Sequence, residues 1–398
     1  MRVVSVGQLE CLVATIRFGS CKRAAEALCL TPQAVVKSLH SLERVLGGKL
    51  ISGRGQSSSP TRYARMLAVR AQRVLTAVDD IQAYAKKATL TLGNRIDSLN
   101  ETMRRRGKPM AYDHIFQPIR IGSKYAQNRI EIAPAAPFLA GHDGSLSPEF
   151  YEYNKGLASA GAGIVNLGVT SIDPGRGVGS RIMSIGSDLY LSDFNELAEL
   201  FHSYGSLASC ELVYSRYMLS PAEKVVNDTT TEEVEEMIQR FADAADRLVR
   251  ANFDIAFIHG GHGNVPAMFF SNKINQRTDR FGGSFEGRCQ FAVELLQAIR
   301  ARVGKRLAIT YRISAEEMLP GTSTLEETLE FAKVIEPYID LLHVSRGILE
   351  VDDLLHYIFP PLYLPRGMNL PFAKRFKEEL SIPVTVVGGF NLELAEQV

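Results

Sequence analysis

Residues 253–288 read FDIAFIHGGHGNVPAMFFSNKINQRTDRFGGSFEGR, and the rest of the chain is organised around them. Ile255, Ala256, Phe257 and Ile258 form a continuous apolar run of the kind a buried parallel strand shows. The run then breaks into glycines and two histidines, His259 and His262. A strand ending in glycine and imidazole delivers polar groups to the edge of a sheet or the mouth of a barrel, where backbone must let a ligand approach. Asn275, Arg277, Asp279, Arg280 and Arg288 follow at ordered spacing around Gly282-Gly283. A single histidine reads as a satisfied core residue; two spaced by three at a strand end point to a functional site. Zinc is the competing use of such a pair, but no Cys or carboxylate stands nearby at ligand spacing.

Working outward, seven strand candidates lie near 130–135, 164–168, 207–213, 254–258, 307–312, 340–344 and 383–387. Helical patterns separate them, as parallel α/β architecture requires. One of those helices opens with a capping box, Thr230 and Glu233, and buries Val234, Met237, Ile238 and Phe241.

HGGHGNV followed by SNKINQRTDRFGGSFEGR resembles, without gaps, the signature of the Old Yellow Enzyme family, the NADH:flavin oxidoreductases that include 2,4-dienoyl-CoA reductase-like enzymes. The stretch FQPIRIGSKYAQNRIEIAPAAPF, Phe116 to Phe138, resembles the family's opening strand. The resemblance implies an α/β fold, a (β/α)8 TIM barrel holding FMN at the carboxyl ends of its strands, with NAD(P)H as reductant and a small enone-type substrate. It places Ala133, Pro134, Ala135 and Gly168 under or beside the flavin, Arg312 at flavin N1 and O2, and Gly388 and Gly389 at the phosphate. It gives His259 and His262 the substrate oxygen. Glu211 stands where the family has a glutamine on the pyrimidine ring, and Tyr214 where it has a histidine. Asn264 stands at the family's proton-donating tyrosine, which leaves water or another tyrosine, Tyr214 among them, as proton source. The loop from Ser215 to Thr229, which covers substrate in relatives, reads as short. The chain stops at Val398, before the family's eighth strand, so the barrel is expected to be incomplete, its closing pieces missing or supplied by another chain.

Composition is that of a globular protein: 398 residues, 45% hydrophobic, 22% charged. No apolar run reaches the roughly 18 residues of a membrane span, and no signal peptide opens the chain. Five cysteines without a CxxC suit reduced thiols in a cytoplasm and argue against an iron–sulfur cluster or other metal site within the chain. The net charge of +1 hides an asymmetry: residues 1–110 hold 19 Lys and Arg against 7 Asp and Glu, while the remainder holds 26 against 37. A basic head on an acidic body points to a polyanion as the head's partner.

In that head, Leu9, Leu12, Val13 and Ile16 recur at helical spacing, Phe18-Gly19-Ser20 stops one helix and caps the next, and Thr31-Pro32 starts a third. Two short helices and a tight turn are helix-turn-helix geometry, which a plain three-helix bundle shares. Ser20 to Leu50 resembles, without gaps, the DNA-binding domain of LysR-type regulators, with Val36 where that family has Ser and Ile51 where it has Phe. The resemblance makes Ser20, Thr31, Gln33, Lys37, Ser38 and Arg54 the contacts to duplex DNA, Arg54 to Thr61 the wing, and Thr61 to Lys87 a linker helix that pairs two subunits, although an ordinary amphipathic helix packed on its own chain shows the same apolar pattern. The expected layout is therefore an all-α winged helix-turn-helix at 1–60, a dimerisation helix at 61–95, a linker at 96–110 and an FMN barrel at 111–398. Three readings stand at this point: an ene-reductase-like enzyme fused to a DNA-binding module, a regulator whose barrel senses a ligand without turnover, or a nonfunctional fusion.

Overall fold

The computed structural model describes residues 4–53, 59–78, 112–173, 181–215, 222–349, 351–361 and 363–398. They divide into two compact units, Met1–Met110 and Ala111–Val398.

The first unit packs α1 (Val6–Phe18), α2 (Cys21–Ala27) and α3 (Pro32–Leu46) around Leu12, Ala24, Ala25, Val35, Leu39 and Leu42. Each helix begins on a side-chain cap: Ser5 with Gln8 in a capping box, then Ser20 accepting from Arg23 N, then Thr31 accepting from Ala34 N ahead of Pro32. Gly19 and Gly47, both with left-handed backbone, end α1 and α3. The strands β1 (Ile51–Ser52) and β2 (Ser59–Pro60) pair antiparallel as the base of a wing. The carboxylate of Glu43 accepts from Leu50 N and Ile51 N and so ties α3 to that base. The wing's turn with Arg54, the helix beyond residue 78, and the 96–110 linker with Arg104 to Arg106 lie outside the described residues.

Residues 62–78 are helical (α4). Ala64, Ala68 and Ala71 turn inward and Leu67 packs half-buried on the same core, while Met66 and Val69 are left 68% and 63% exposed. Alanines let α4 lie close on the bundle, and the larger side chains then face outward.

The second unit opens with a hairpin, β3 (Ile119–Ile121) and β4 (Lys124–Ala126). There follow β5 (Glu131–Ile132), α5 (Pro148–Ala158), β6 (Ile164–Ser171), β7 (Met183–Ser184), α6 (Leu191–Ser203), β8 (Leu207–Val213), α7 (Ala222–Asn227) and α8 (Thr231–Arg250). The second half holds β9 (Ile255–Gly260), α9 (Val265–Phe270), α10 (Phe285–Val303), β10 (Ala308–Ser314), α11 (Leu325–Ile335), β11 (Leu341–Ser345), α12 (Leu355–Ile358), α13 (Leu370–Glu379), β12 (Val384–Val386) and α14 (Leu392–Glu396). Seven strands pair in parallel in the order β5-β6-β8-β9-β10-β11-β12, with β7 added beside β6. This is a near-closed barrel, and all seven strands expected from the sequence form it.

β9 and β10 are buried along their whole length, whereas β12, at one end of the order, is half-buried throughout. The main core lies between the sheet and its outer helices, with Phe194, Phe241, Phe291 and Phe331 among its largest members. A second cluster fills the amino-terminal end of the barrel. There Ile121 and Ala126 of the hairpin meet Ile164, Ile255, Ala308 and Leu341, and Lys124 pairs with Asp254 at 2.9 Å. The hairpin plugs the barrel from below. Near its other end in sequence, α14 is clipped to the start of the unit, where the Glu396 carboxylate accepts from His114 N and Ile115 N.

β6 runs three residues past the expected end at Gly168. Its register against β8 shifts between Leu167 and Thr170, and a Cβ on Gly168 would lie 1.6 Å from the Ala135 carbonyl oxygen. Only glycine fits there, because β6 presses on the backbone that leaves β5. The segment from Ser215 to Thr229, read as a short loop, carries α7; residues 216–221 are outside the described set.

Candidate functional site at the barrel mouth

The polar motif after β9 proves to be a clamp. Asn275 Nδ2 donates to the carbonyls of Phe269 and Phe281, and its Oδ1 accepts from Arg277 N. Arg277 grips Asp279 through Nε and Nη2 and donates to the carbonyls of Val226 and Thr229. Asp279 accepts from Thr231 of α8, Arg280 pairs with Glu235 and Glu294, and Arg288 joins the Phe270 carbonyl to Glu327. These side chains bind α7, α8, α10 and α11 to one another, and the motif's work is to hold the mouth in shape.

The histidines sit at the end of β9 and on the turn between β9 and α9. His262 has a left-handed backbone, φ 55, unusual for a residue with a Cβ. Its N–H donates to Ser314 Oγ at 2.8 Å and its carbonyl accepts from Leu349 N, which locks it between β10 and the segment after β11. Nε2 lies 2.7 Å from Ser345 Oγ. His259 Nδ1 accepts from Gly261 N, so its proton is carried on Nε2, which lies 3.7 Å from Glu211 Oε1. The two rings stand edge to face, centroids 5.1 Å apart. Burial first, and the Arg312 charge second, hold both imidazoles well below the usual histidine range, so the pair is neutral.

Beneath the pair is a buried ionic floor. Arg312 and Glu211 are 4% and 1% exposed, and Arg312 Nη1 donates to Glu211 Oε1 at 3.0 Å. Arg312 Nε donates to His343 Nδ1 at 3.3 Å, and the guanidinium lies over the Phe257 ring. A second carboxylate, Glu131, accepts from Asn166 Nδ2 at 2.7 Å. Burial raises both carboxyls against the pull of Arg312, Glu211 to about 7, and burial lowers Arg312 against the pull of both. Taking this pair out of water outweighs its attraction.

Of the other expected site residues, Asn264 is buried and precedes α9, its Nδ2 3.4 Å from the Gly261 carbonyl. Tyr214 packs on the outer core with Arg240 of α8 as a charged neighbour, on the side of the sheet away from the floor. Ala133 and Pro134 are half-buried and Ala135 is exposed where the chain leaves β5. Gly388 and Gly389 leave β12 with positive φ. In the head, Ser20 and Thr31 spend their hydroxyls on helix caps, while Gln33 and Lys37 are exposed on α3 and Ser38 is half-buried. Sequence reasoning gave no role to Glu131, His343, Ser314 and Ser345; a polar residue inside a barrel strand was the one signal available. Among the described residues no group of three or more His, Cys, Asp or Glu is placed to hold a metal. None of the described helices is long and apolar enough to cross a membrane.

The donor set suits a flavin: a buried guanidinium for an electron-rich ring edge, small residues at the β5 exit, and positive-φ glycines at the β12 exit. Two buried atoms without a hydrogen bond, Arg346 Nε and Asn369 Oδ1, also sit at this end, the latter residue 3.1 Å from where a Gly388 Cβ would be. Glu211 is the one member whose ionised form does not suit.

Residues 114–398 match the family described as NADH:flavin oxidoreductase / NADH oxidase. Residues 6–65 match that described as bacterial regulatory helix-turn-helix protein, lysR family, which points to DNA as the head's partner and a small molecule as the barrel's. An NADH oxidase of Thermoanaerobacter brockii is 34% identical over 309 residues, covering 72% of this chain and 47% of its own length. An NADPH dehydrogenase of Bacillus velezensis is 28% identical, covering 69% of this chain and 83% of its own. The chain thus spans about half of the first relative. An old yellow enzyme homologue from Zymomonas mobilis superposes with a TM-score of 0.58 at 20% identity, over 71% of this chain and 84% of that one.

Proposed function

The chain belongs to the NADH:flavin oxidoreductase / NADH oxidase family, and on that premise we propose that its barrel reduces activated carbon–carbon double bonds under a LysR-type DNA-binding head. FMN, when bound, supplies the two-electron chemistry, with NAD(P)H as its reductant. Ala133 to Ala135 and Gly168 would line the ring, Arg312 and Glu211 its pyrimidine edge, and Gly388 and Gly389 the phosphate.

The observation that carries this reading is the neutral histidine pair above a buried arginine. Negative charge developing on a carbonyl oxygen is met by fixed N–H donors already free of water. His259 offers Nε2–H, because its Nδ1 is an acceptor. His262 offers Nδ1–H when Ser345 donates to its Nε2. Asn264 is too weak an acid to protonate the substrate carbon, and Tyr214 sits on the outer core, so water at the mouth is the proton source in this reading. In the head, residues 1–60 contact duplex DNA through Gln33, Lys37 and Ser38. The outward Met66, Val69 and Val74 of α4 pair two copies, since so apolar a helix face is stable when covered.

The test is optical. FMN-loaded protein titrated with a phenol, whose oxygen mimics the charged intermediate, is expected to develop a long-wavelength charge-transfer band. His259→Ala should abolish that band and leave flavin content unchanged, since one hydrogen bond to a charged oxygen is worth about 1.5–3 kcal/mol. A band that survives the substitution sinks the assignment of the pair.

A further inference from the structure

Glu211 is the residue that departs from the donor set a flavin needs, and its surroundings say what the departure does. It lies on β8 opposite Phe257 of β9 and faces inward. The groups around it are His259 on β9 at 3.7 Å, Arg312 on β10 at 3.0 Å, and, through Arg312, His343 on β11 and Glu131 on β5. His262 completes the set above His259. All three imidazoles are held well below the usual histidine range by burial and by Arg312. One fixed cation therefore faces two carboxyls, and with both ionised the floor carries a net negative charge away from water.

The pyrimidine edge of a flavin alternates acceptor, donor and acceptor. A carboxylate only accepts, so one of its oxygens meets the ring N–H while the other is set against a ring carbonyl. The neutral acid offers one O–H and one C=O side by side, the same two functions as a primary amide. A proton on Glu211 also frees Arg312 for the ring, because the carboxyl no longer competes as an anion.

We propose that Glu211 is a proton-carrying specificity residue that receives the cofactor's pyrimidine edge only as the neutral acid, so that binding FMN draws one proton into the barrel. The proton comes from solvent and is held on a Glu211 oxygen; no covalent bond of the cofactor changes. The inference rests on the flavin reading above and specifies how that site is regulated. Burial, even against the pull of Arg312, already pushes the Glu211 carboxyl up to about 7, so the uptake falls in the physiological range.

The experiment measures FMN affinity of the full chain by quenching of flavin fluorescence between pH 7 and 9, in the parent and in Glu211→Gln. FMN's own phosphate, which titrates near pH 6, is then fully ionised, and the glutamine variant reports anything else that titrates. The expected result is a parent dissociation constant that weakens about fiftyfold over the two units, as one linked proton demands. The variant should be tight and flat. Calorimetry of the unmutated protein at pH 8 in two buffers of different ionisation enthalpy should read close to one proton taken up per FMN, and needs no variant to fold. Equal slopes in parent and variant, a flat parent, or calorimetric uptake near zero would overturn the inference and leave the flavin site standing. No binding in either protein at any pH would overturn both.

Discussion

Arg277→Ala tests whether the signature after β9 is a clamp. In the structure the guanidinium makes four hydrogen bonds, two to the Asp279 carboxylate and one each to the carbonyls of Val226 and Thr229. Its side chain is only 7% exposed, so water does not replace those partners when it is removed. Breaking a buried, hydrogen-bonded ion pair from one side destabilises by about 3–5 kcal/mol. For a domain this size that amounts to a fall of roughly 10 °C in the barrel's melting temperature. The pH dependence follows from Asp279, whose carboxyl the Arg277 hydrogen bond holds well below the usual range. A carboxyl lowered in the folded state adds stability above its unfolded value and loses it as pH falls through the folded one. The gap between parent and variant should therefore be full at pH 7 and narrow in acid, where Asp279 takes a proton. Thermal unfolding followed by circular dichroism at pH 7 reads the full gap, which begins to narrow only below the unfolded carboxyl's value near 3.9 and closes well under it. A variant melting within about 2 °C of the parent at pH 7, less than the shift expected for 1 kcal/mol, would refute the clamp.

Ser345→Ala removes the hydroxyl that sets the His262 tautomer, and phenol affinity of the FMN-loaded protein should fall about tenfold, close to the net worth of one hydrogen bond. An unchanged phenol titration would show that Ser345 does not orient the ring. In the head, Lys37→Ala should weaken binding of the full chain to duplex DNA about equally for all sequences, and lower the salt slope by about one. Anisotropy titrations at several salt concentrations check this, and an unaltered slope would take Lys37 off the phosphates.

The barrel strands were legible because strands buried on both faces read as apolar runs, Ile255 to Ile258 of β9 most plainly. The caps at Thr31 and Thr230 were legible because a hydroxyl before a helical pattern has one common use. Glu131 and His343 were not, since register alone shows that they point into the barrel toward Arg312. The run from Asn275 to Arg288 misled in the opposite direction. Its polar residues are spaced like a ligand site, but their hydrogen bonds go to the chain's own carbonyls and carboxylates.

The hairpin under the barrel makes the polar floor one-ended. Ile121 and Ala126, seated among Ile164, Ile255, Ala308 and Leu341, seal that end with apolar side chains. Field lines from the guanidinium and the two carboxyls are thus turned away from that end by the apolar seal. Solute, ion and proton traffic reaches the cluster from the mouth or from the side where β5 and β12 end the strand order. Whatever closes over the mouth, whether a loop or a bound molecule, would slow ligand exchange and the titration of Glu211 together.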